Sequence, residues 1–233
     1  MVEKLKESVF RANLDLVKHG LVIHTWGNAS GRDTESGLIV IKPSGVSYSS
    51  MKAEDMIVMD MDGNIVEGKY KPSTDAPTHL FLYKSYSSIK GVVHTHSAYA
   101  TAWAQAGKDI PPFGTTHADH FYGPVPCTRK LKEAEIKKDY ELNTGRVIVE
   151  RLGNSDPLEF PSALVNCHGP FCWGRSPEEA VYNAVALEEI ARTAFFTTLL
   201  DHGKPIDQSL LDKHFLRKHG KNAYYGQKKS KKT

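Results

Sequence analysis

Two histidines separated by a single residue are the first feature of this sequence that could bind a metal ion. His94 and His96 follow the apolar residues Gly91-Val-Val. A strand of that composition places residues i and i+2 on the same face, so the two imidazoles point to one location, as ligands of one ion must. A histidine pair alone is a weak signal, because such pairs also occur on solvent-exposed strands.

A third histidine and a carboxylate extend the pair to a candidate ligand set. His168 follows the apolar segment 163–167 and precedes the turn residues Gly169-Pro170, while Asp75 opens a predicted helix before the histidine pair. Three imidazoles and one carboxylate suit Zn²⁺ with an exchangeable position. A plain helix N-cap for Asp75 and a buried core histidine for His168 are the alternatives, and the residues themselves leave both open.

Three short polar stretches could bind a phosphate group through backbone N–H groups and through hydroxyl or amide donors. They are Gly27-Asn28, Ser44-Gly45 and Ser73-Thr74, and Lys42 stands beside the second. Each stretch alone is an ordinary turn. Because all three adjoin a predicted strand or helix and accompany a candidate metal site, together they favour a phosphorylated ligand.

Apolar spacing and capping residues predict the helices that surround these positions. The predicted helices cover residues 2–19, 75–86, 98–106, 177–200 and 209–218, the fourth opened by a capping box from Ser176 to Glu179.

Short apolar runs bounded by turn residues predict the strands. They cover residues 37–41, 56–60, 64–67, 91–96, 147–150 and 163–167, whereas Trp26–Ser30 is predicted as a polar turn. Helices and strands do not alternate strictly, and no glycine fingerprint follows a strand, which argues against a dinucleotide-binding fold. No linker and no internal repeat divides the chain, so we expect one domain.

Composition and charge exclude several classes of protein. The 233 residues are 40% apolar and 24% charged, unlike a disordered chain, a collagen repeat or a coiled coil. Residues 228–233 carry four lysines and no acid; without them 26 basic residues face 27 acidic ones, so the positive net charge lies in this tail and indicates no nucleic-acid-binding face.

Cysteine usage and the N-terminus indicate a cytoplasmic protein. Cys127, Cys167 and Cys172 form no CxxC pair, and free thiols fit a reducing compartment. The first twenty residues are charged throughout, unlike a signal peptide, and no run of 18 apolar residues exists, so we expect no membrane contact.

Seven segments in this order resemble the class II sugar-phosphate aldolase/epimerase family. They are Thr25–Ser30, Ile41–Gly45, Lys71–Asp75, Val93–His96, Gly114–Asp119, His168–Pro170 and Leu211–Gly220. The resemblance covers essentially residues 1–227. It implies a single α/β domain in which a mostly antiparallel central β-sheet is flanked by helices in three α/β/α layers. The lysine-rich tail, 228–233, has no counterpart and is expected to be disordered.

The resemblance also implies roles for individual residues. His94, His96, His168 and Asp75 match the zinc ligands, with one ion per subunit, and Asp119 and Tyr225 match an acid/base pair. The substrate-binding positions are Gly27, Asn28, Lys42, Ser44, Gly45, Ser73, Thr74, Thr115, Glu141, His214 and Arg217. Family epimerases often have two serines where this chain has Ser73-Thr74, and threonine keeps the hydroxyl.

The activity implied is a zinc-dependent interconversion of L-ribulose 5-phosphate and D-xylulose 5-phosphate. It proceeds by retro-aldol cleavage of C3–C4, rotation of glycolaldehyde phosphate and re-addition to the enediolate. The family assembles as a C4 homotetramer with active sites at subunit interfaces, where the residues matching Asp119 and Tyr225 come from the neighbour. Paralogues in arabinose, ascorbate and related sugar pathways look alike at these sites.

Two other functions within the same fold are the alternatives. A class II aldolase would cleave a ketose or deoxyketose 1-phosphate of the fuculose or rhamnulose type. Family aldolases tend to carry the longer Glu at the position of Asp75, which favours the epimerase here. A non-catalytic domain, as in the adducin cytoskeletal proteins, predicts loss of the metal histidines, and all three are present.

Overall fold

A computed structural model describes residues 2–201 and 203–226 of the chain. The expected disordered tail, 228–233, lies outside this range. The helices in the described part are α1 (Val2–Lys18), α2 (Ala76–Ser85), α3 (Ala98–Ala106), α4 (Thr115–Ala118), α5 (Glu133–Lys137), α6 (Tyr140–Leu152), α7 (Pro177–Leu200) and α8 (Gln208–His219). The strands are β1 (Gly27–Arg32), β2 (Ile39–Ile41), β3 (Ile57–Met59), β4 (Ile65–Glu67), β5 (Gly91–Thr95), β6 (Ser162–Leu164) and β7 (Pro170–Gly174).

The strands form one antiparallel sheet in the order β4-β3-β2-β1-β5-β7-β6. Its centre is the part that matters for function, because β1, β5 and β7 are neighbours there. Their register places Asn28 opposite His94 and His94 opposite Phe171. Directly opposed residues share a face, so these three side chains stand in one row across the sheet.

Helices cover both faces of the sheet and produce the expected three layers. On one face α1, α3 and α7 pack together, and Val93 of β5 belongs to their apolar cluster. On the other face α2 packs against α6, and the neighbouring Val92 joins Leu82 and Ile148 in a second cluster. Alternate residues of β5 therefore serve the two cores. The predicted single-domain α/β class is confirmed.

Strand β1 is the clearest difference from the sequence prediction, because Trp26–Ser30 was expected to be a polar turn. Gly27–Arg32 is instead a central strand between β2 and β5. Its small residues allow the helices to approach the sheet closely: a Cβ at Gly31 would lie 2.8 Å from both Leu5 and Pro177. The small residues that made this segment resemble a turn are thus needed for the helices to pack against the strand.

The segment 147–150 was predicted to be a strand, and this is wrong. It lies inside α6, where Val147, Ile148 and Leu152 are buried at helical spacing against α2. A four-residue apolar run fits either structure, and packing against α2 decides for the helix. The five predicted helices are all present, with differences of one or two residues at their ends.

The segment after 162 also differs from expectation. Strand β6 ends at Leu164 instead of extending to Cys167, and the turn that joins it to β7 carries His168. The Val165 N–H donates to Gly169 O, and Cys167 has a φ of +61°. The three cysteines are unpaired, in agreement with their spacing.

Candidate metal and phosphate site

Three histidines from different parts of the sheet converge at one end of it. His94 lies on β5, His96 directly follows that strand, and His168 lies in the turn between β6 and β7. One ring nitrogen of each histidine lies within 4.8 Å of those of the other two, and the two Nε2 atoms of His94 and His96 are 3.1 Å apart. We call these residues the imidazole triad.

The surroundings of the triad orient its nitrogens. The Nδ1 of His94 lies 2.9 Å from Pro170 O, which can only accept a proton, so Nδ1–H is the donor and Nε2 keeps its lone pair. Phe171 stacks on the His94 ring at 4.1 Å. Burial, with His94 and His96 adding to it, lowers the pKa of His168 to about 3. A neutral imidazole of this kind is what a metal ion binds.

Asp75 lies beside the triad, immediately before α2. Its Oδ2 accepts a hydrogen bond from Asn28 Nδ2 at 2.6 Å. Burial acts to raise the pKa of Asp75, but the His94 and His79 imidazoles and the Asn28 amide outweigh it and hold the pKa below its ordinary value. The carboxylate is therefore ionised and lines the same cavity as the triad, although it lies outside the 4.8 Å group.

This donor set fits a divalent cation. Three imidazole nitrogens beside a carboxylate that lines the same cavity form a combination suited to a zinc site that keeps a position open. The second ring nitrogen of His94 is bound to a backbone carbonyl, which is the usual outer contact of a ligating histidine.

Two loops meet above the triad and enclose a cavity of about 610 Å³ with it. The loops are residues 42–46 and 71–75. Ser44 N–H donates to Lys71 O, and Ser73 N–H donates to Lys42 O, both at 2.9 Å. Within residues 2–201 and 203–226, the N–H groups of Gly45 and Thr74 have no acceptor, and Gly45 has a φ of +69°. The joined loops therefore present unused N–H groups and hydroxyls to the cavity.

Lys42 lies below the first loop instead of projecting freely into the cavity. Its side chain is 2% exposed, and its Nζ donates to the carbonyls of Pro43 and Val46 at 3.2 and 3.0 Å. The ammonium also lies 4.8 Å from the centre of the Tyr48 ring, whose hydroxyl donates to Gly27 O. Burial lowers the pKa of Lys42 to about 8. Lys42 thus holds the loop backbone in shape.

Of the remaining predicted positions around the cavity, some lie where the sequence suggested and others do not. Gly27 and Asn28 belong to β1, so they do not form the open turn that the sequence suggested, and Asn28 contacts Asp75 through its side chain. Glu141 lines the cavity as expected. Tyr140 was missed: its hydroxyl is 3.4 Å from His168 Nδ1. A correct prediction of α6 would have placed Tyr140 at the start of that helix, next to Glu141.

A second group of predicted residues surrounds Asp119, at the end of α4. Arg217 Nη2 lies 3.0 Å from both carboxylate oxygens, Lys218 Nζ 3.2 Å from one, and His214 Nδ1 3.1 Å from the other. Tyr225 packs against the cations of Arg217 and Lys218 at 4.9 and 4.5 Å. We call these five residues the carboxylate cluster; Lys218 was not predicted, although it is one turn from His214.

The carboxylate cluster and the cavity are separate within one chain. None of the five residues is among the described residues that line the cavity. Thr115, another predicted substrate-binding residue, lines a different groove with Thr193 and Thr197. The structure therefore places the candidate metal and phosphate ligands around one cavity. The candidate acid/base residues lie in a different region of the same chain.

Comparison with known proteins identifies relatives over most of the chain. The family described as the class II aldolase and adducin N-terminal domain matches residues 7–195. The L-ribulose-5-phosphate 4-epimerase UlaF of Salmonella paratyphi A (strain ATCC 9150 / SARB42) is 59% identical over 228 residues, which are 97% of this chain and 100% of that protein. The UlaF of Salmonella typhi matches equally well.

Solved structures share the fold at lower identity. An L-fuculose 1-phosphate aldolase has a TM-score of 0.78 at 23% identity and covers 91% of this chain and 94% of its own. YgbL of Klebsiella pneumoniae, described as a putative aldolase/epimerase/decarboxylase, has a TM-score of 0.71 at 23% identity, over 90% of this chain and 97% of its own. In the described part of the chain no helix is long and apolar enough to span a membrane.

Proposed function

The chain belongs to the class II aldolase and adducin N-terminal domain family, and we propose that it is an L-ribulose-5-phosphate 4-epimerase. The observation that carries the proposal is the imidazole triad at the floor of a cavity whose rim offers N–H groups and hydroxyls to a phosphate. The 59% identity to relatives named for this activity, over their full length, supports the same substrate.

The chemistry of the substrate explains why such a cavity is useful. The hydrogen on C4 of a 2-ketopentose phosphate is not acidic, because C4 is not adjacent to the C2 carbonyl. The C4 hydroxyl is β to that carbonyl, so cleavage of C3–C4 gives an enediolate of dihydroxyacetone and glycolaldehyde phosphate. Re-addition to the opposite face of the aldehyde inverts C4 without a redox cofactor.

His94, His96 and His168, with Asp75, would hold one zinc ion per subunit. Bound there, the ion supplies Lewis-acid stabilisation of negative charge on the oxygens at C2 and C3. Asn28 keeps the Asp75 carboxylate turned towards the triad.

The two loops retain the aldehyde while it rotates. Gly45, Thr74 and the hydroxyls of Ser44 and Ser73 bind the phosphate, and Lys42 keeps the first loop in shape from below. Neutral donors of this kind hold a dianion without a large fixed charge. Glu141, which lines the same cavity, contacts the sugar portion.

Two epimers present their C4 hydroxyls on opposite sides, which requires one acid/base group on each side. We assign Asp119 and Tyr225 to these roles, with Thr115, His214 and Arg217 near the substrate. Because the carboxylate cluster does not line the cavity of its own chain, we propose a C4 homotetramer in the cytoplasm in which the cluster of one subunit completes the cavity of the next.

An aldolase that cleaves a ketose or deoxyketose 1-phosphate is the second candidate, since it uses the same fold and cavity. Asp75 argues against it, because this carboxylate is one methylene shorter than glutamate and is already held by Asn28. It is therefore less able to deliver a proton to the enediolate carbon, which favours re-addition of the aldehyde over its release.

The decisive experiment follows the reaction by NMR. Zinc-loaded protein is incubated with L-ribulose 5-phosphate in D₂O, and we expect D-xylulose 5-phosphate whose C4 keeps its original hydrogen, since that hydrogen stays on the aldehyde throughout. Deuterium at C4 would contradict the cleavage route. A parallel incubation with L-fuculose 1-phosphate tests the aldolase: release of an aldehyde there, without epimer formation from L-ribulose 5-phosphate, would overturn the proposal.

A further inference from the structure

Three buried polar side chains below the cavity form a row that the proposed function does not use. Ser30 Oγ lies 2.7 Å from His79 Nδ1 and 2.8 Å from the Tyr83 hydroxyl, and none of the three residues is more than 1% exposed. Ser30 is on β1, whereas His79 and Tyr83 are one turn apart on α2.

This row runs alongside the contact that holds Asp75. Asn28 and Ser30 share a face of β1, and Asp75 and His79 share a face at the start of α2, where His79 N–H donates to Asp75 O. Asn28 binds Asp75, and Ser30 binds His79. The two contacts are therefore neighbours, and the His79 ring lies next to the Asp75 carboxylate.

The direction of the two hydrogen bonds in the row follows from the Tyr83 hydroxyl. In the described part of the chain Ser30 is the one hydrogen-bond acceptor near the Tyr83 hydroxyl, so Tyr83 donates to Ser30. Ser30 then donates its own proton to His79 Nδ1. A ring that accepts at Nδ1 is unprotonated at that nitrogen, so His79 carries its proton on Nε2.

The resulting N–H donor is buried and has no partner among residues 2–201 and 203–226. An unpaired buried donor costs about 1–3 kcal/mol, so its retention calls for an explanation. The ring of Phe171 lies 6.1 Å from the His79 ring and also stacks on His94, so His79 lies close to the candidate metal ligands. The Asn28 Oδ1 atom, also next to Asp75, is likewise unpaired.

We propose that His79 is a positioning residue whose Nε2–H donor fixes the Asp75 carboxylate through one buried water, in the orientation that presents an oxygen to the metal. Asn28 binds Oδ2, and His79 supplies the second donor that stops the carboxylate from rotating. The row from Tyr83 through Ser30 keeps His79 in the required tautomer. The inference rests on the proposed metal site and adds the residue that orients its carboxylate.

Two substitutions of His79 separate the role of each ring nitrogen. In His79→Gln the amide nitrogen reaches about the position of Nε2, whereas in His79→Asn the shorter amide reaches only that of Nδ1. The zinc affinity of the metal-free protein is measured by competition with a chelator. We expect His79→Asn to weaken zinc binding about 10- to 100-fold, as loss of an outer hydrogen bond to a metal ligand does, and His79→Gln to bind about as tightly as the unaltered protein.

A role in packing alone predicts a different result, because both variants would then lose thermal stability while any folded fraction bound zinc normally. Equal zinc affinity of His79→Asn and the unaltered protein would overturn the proposal, and so would an equal loss in both variants. If the unaltered protein binds no zinc, the proposed metal site fails instead.

A measurement without any substitution tests the tautomer directly. Long-range ¹H–¹⁵N correlation on protein labelled at histidine distinguishes the protonated from the unprotonated ring nitrogen. We expect His79 to be protonated at Nε2. Protonation at Nδ1 would overturn the inference even if both variants failed to fold.

Discussion

In the cavity, three imidazoles converge beside backbone N–H groups that have no acceptor among the described residues, whereas in the carboxylate cluster each oxygen of Asp119 is already bound by cationic or imidazole donors. The His94 and His96 Nε2 atoms approach to 3.1 Å, and Gly45 N–H has no acceptor in the described part of the chain. Arg217 alone occupies both oxygens of Asp119.

The difference indicates that the cavity has free groups for a ligand, whereas the donors of the carboxylate cluster are already used within the chain. Burial acts to raise the pKa of Asp119, but the donors from His214, Arg217 and Lys218 outweigh it and hold the pKa below its ordinary value. The same cations pack against Tyr225, which is 61% exposed. An exposed phenol beside a carboxylate whose oxygens are both bound is what the proposed contact with a neighbouring subunit requires of this region.

The largest effect should come from the region with unused ligand groups. His96→Asn removes one of three converging nitrogens, and we expect loss of the metal and of at least about 10³-fold in kcat/KM, since Lewis-acid stabilisation contributes several kcal/mol. Metal analysis and NMR activity measure the two losses. His19→Asn is the matched control, because His19 is exposed at the end of α1. Full zinc occupancy in His96→Asn would contradict the assignment.

The next prediction tests whether the two regions meet across subunits. Tyr225→Phe and His96→Asn subunits, each nearly inactive alone, are unfolded together and reassembled. In a ring with shared sites about a quarter of the sites would pair an intact triad with an intact Tyr225, so activity should return to about that fraction.

Each variant reassembled with itself controls for recovery by refolding, and Tyr224→Phe controls for loss of a neighbouring exposed phenol. Native mass spectrometry identifies the hybrids. Hybrids that stay inactive would show that each site lies within one chain.

The two regions also differ in how far the sequence predicted them. The spacing of His94 and His96 predicts convergence, because alternate strand residues share a face and β5 is a buried strand. No local pattern connects Asp119 with residues almost a hundred positions later, so only the family resemblance indicated that cluster. Its ion pairs arise from the packing of α4 against α8, which spacing does not encode.

The fold shows the same limit. The five predicted helices follow from apolar spacing and caps, but β1 was predicted as a turn because its small residues matter only when α1 and α7 pack on them. The apolar run 147–150 carries no period long enough to separate strand from helix. Both errors concern tertiary contacts, and the second one concealed Tyr140.

A smaller effect is expected at the rim of the cavity. Thr74→Val removes the hydroxyl while leaving the backbone N–H, so one hydrogen bond to a charged phosphate is lost, worth about 1.5–3 kcal/mol. We expect KM for L-ribulose 5-phosphate to rise roughly tenfold or more, with unchanged zinc content. Thr74→Ser, which keeps the hydroxyl, should stay close to the unaltered protein. An unchanged KM in Thr74→Val would exclude this hydroxyl from phosphate binding.

The smallest effect should appear in stability, at the Lys42 ammonium buried beneath the rim. Burial lowers the pKa of Lys42 to about 8 from the 10.5 of an unfolded chain. Between these values the unfolded chain binds more protons than the folded one, so the free energy of unfolding should rise with pH across this window. The full separation corresponds to about 3 kcal/mol, and stabilisation of the ammonium by two carbonyls and the Tyr48 ring reduces the expected rise to about 1 kcal/mol.

Lys42→Met lacks this titration, so the difference in unfolding free energy between the unaltered protein and the variant should shift in favour of the unaltered protein from pH 7 to pH 10. Urea unfolding at one protein concentration measures it, since assembly would otherwise contribute. Lys18→Met, at the exposed end of α1, is the matched control for removal of a lysine. A constant difference for Lys42→Met would mean that the Lys42 ammonium is solvated. Lys42 would then be available to a ligand in the cavity, like the N–H groups and hydroxyls of the two loops. It would no longer be a residue that only supports the first loop.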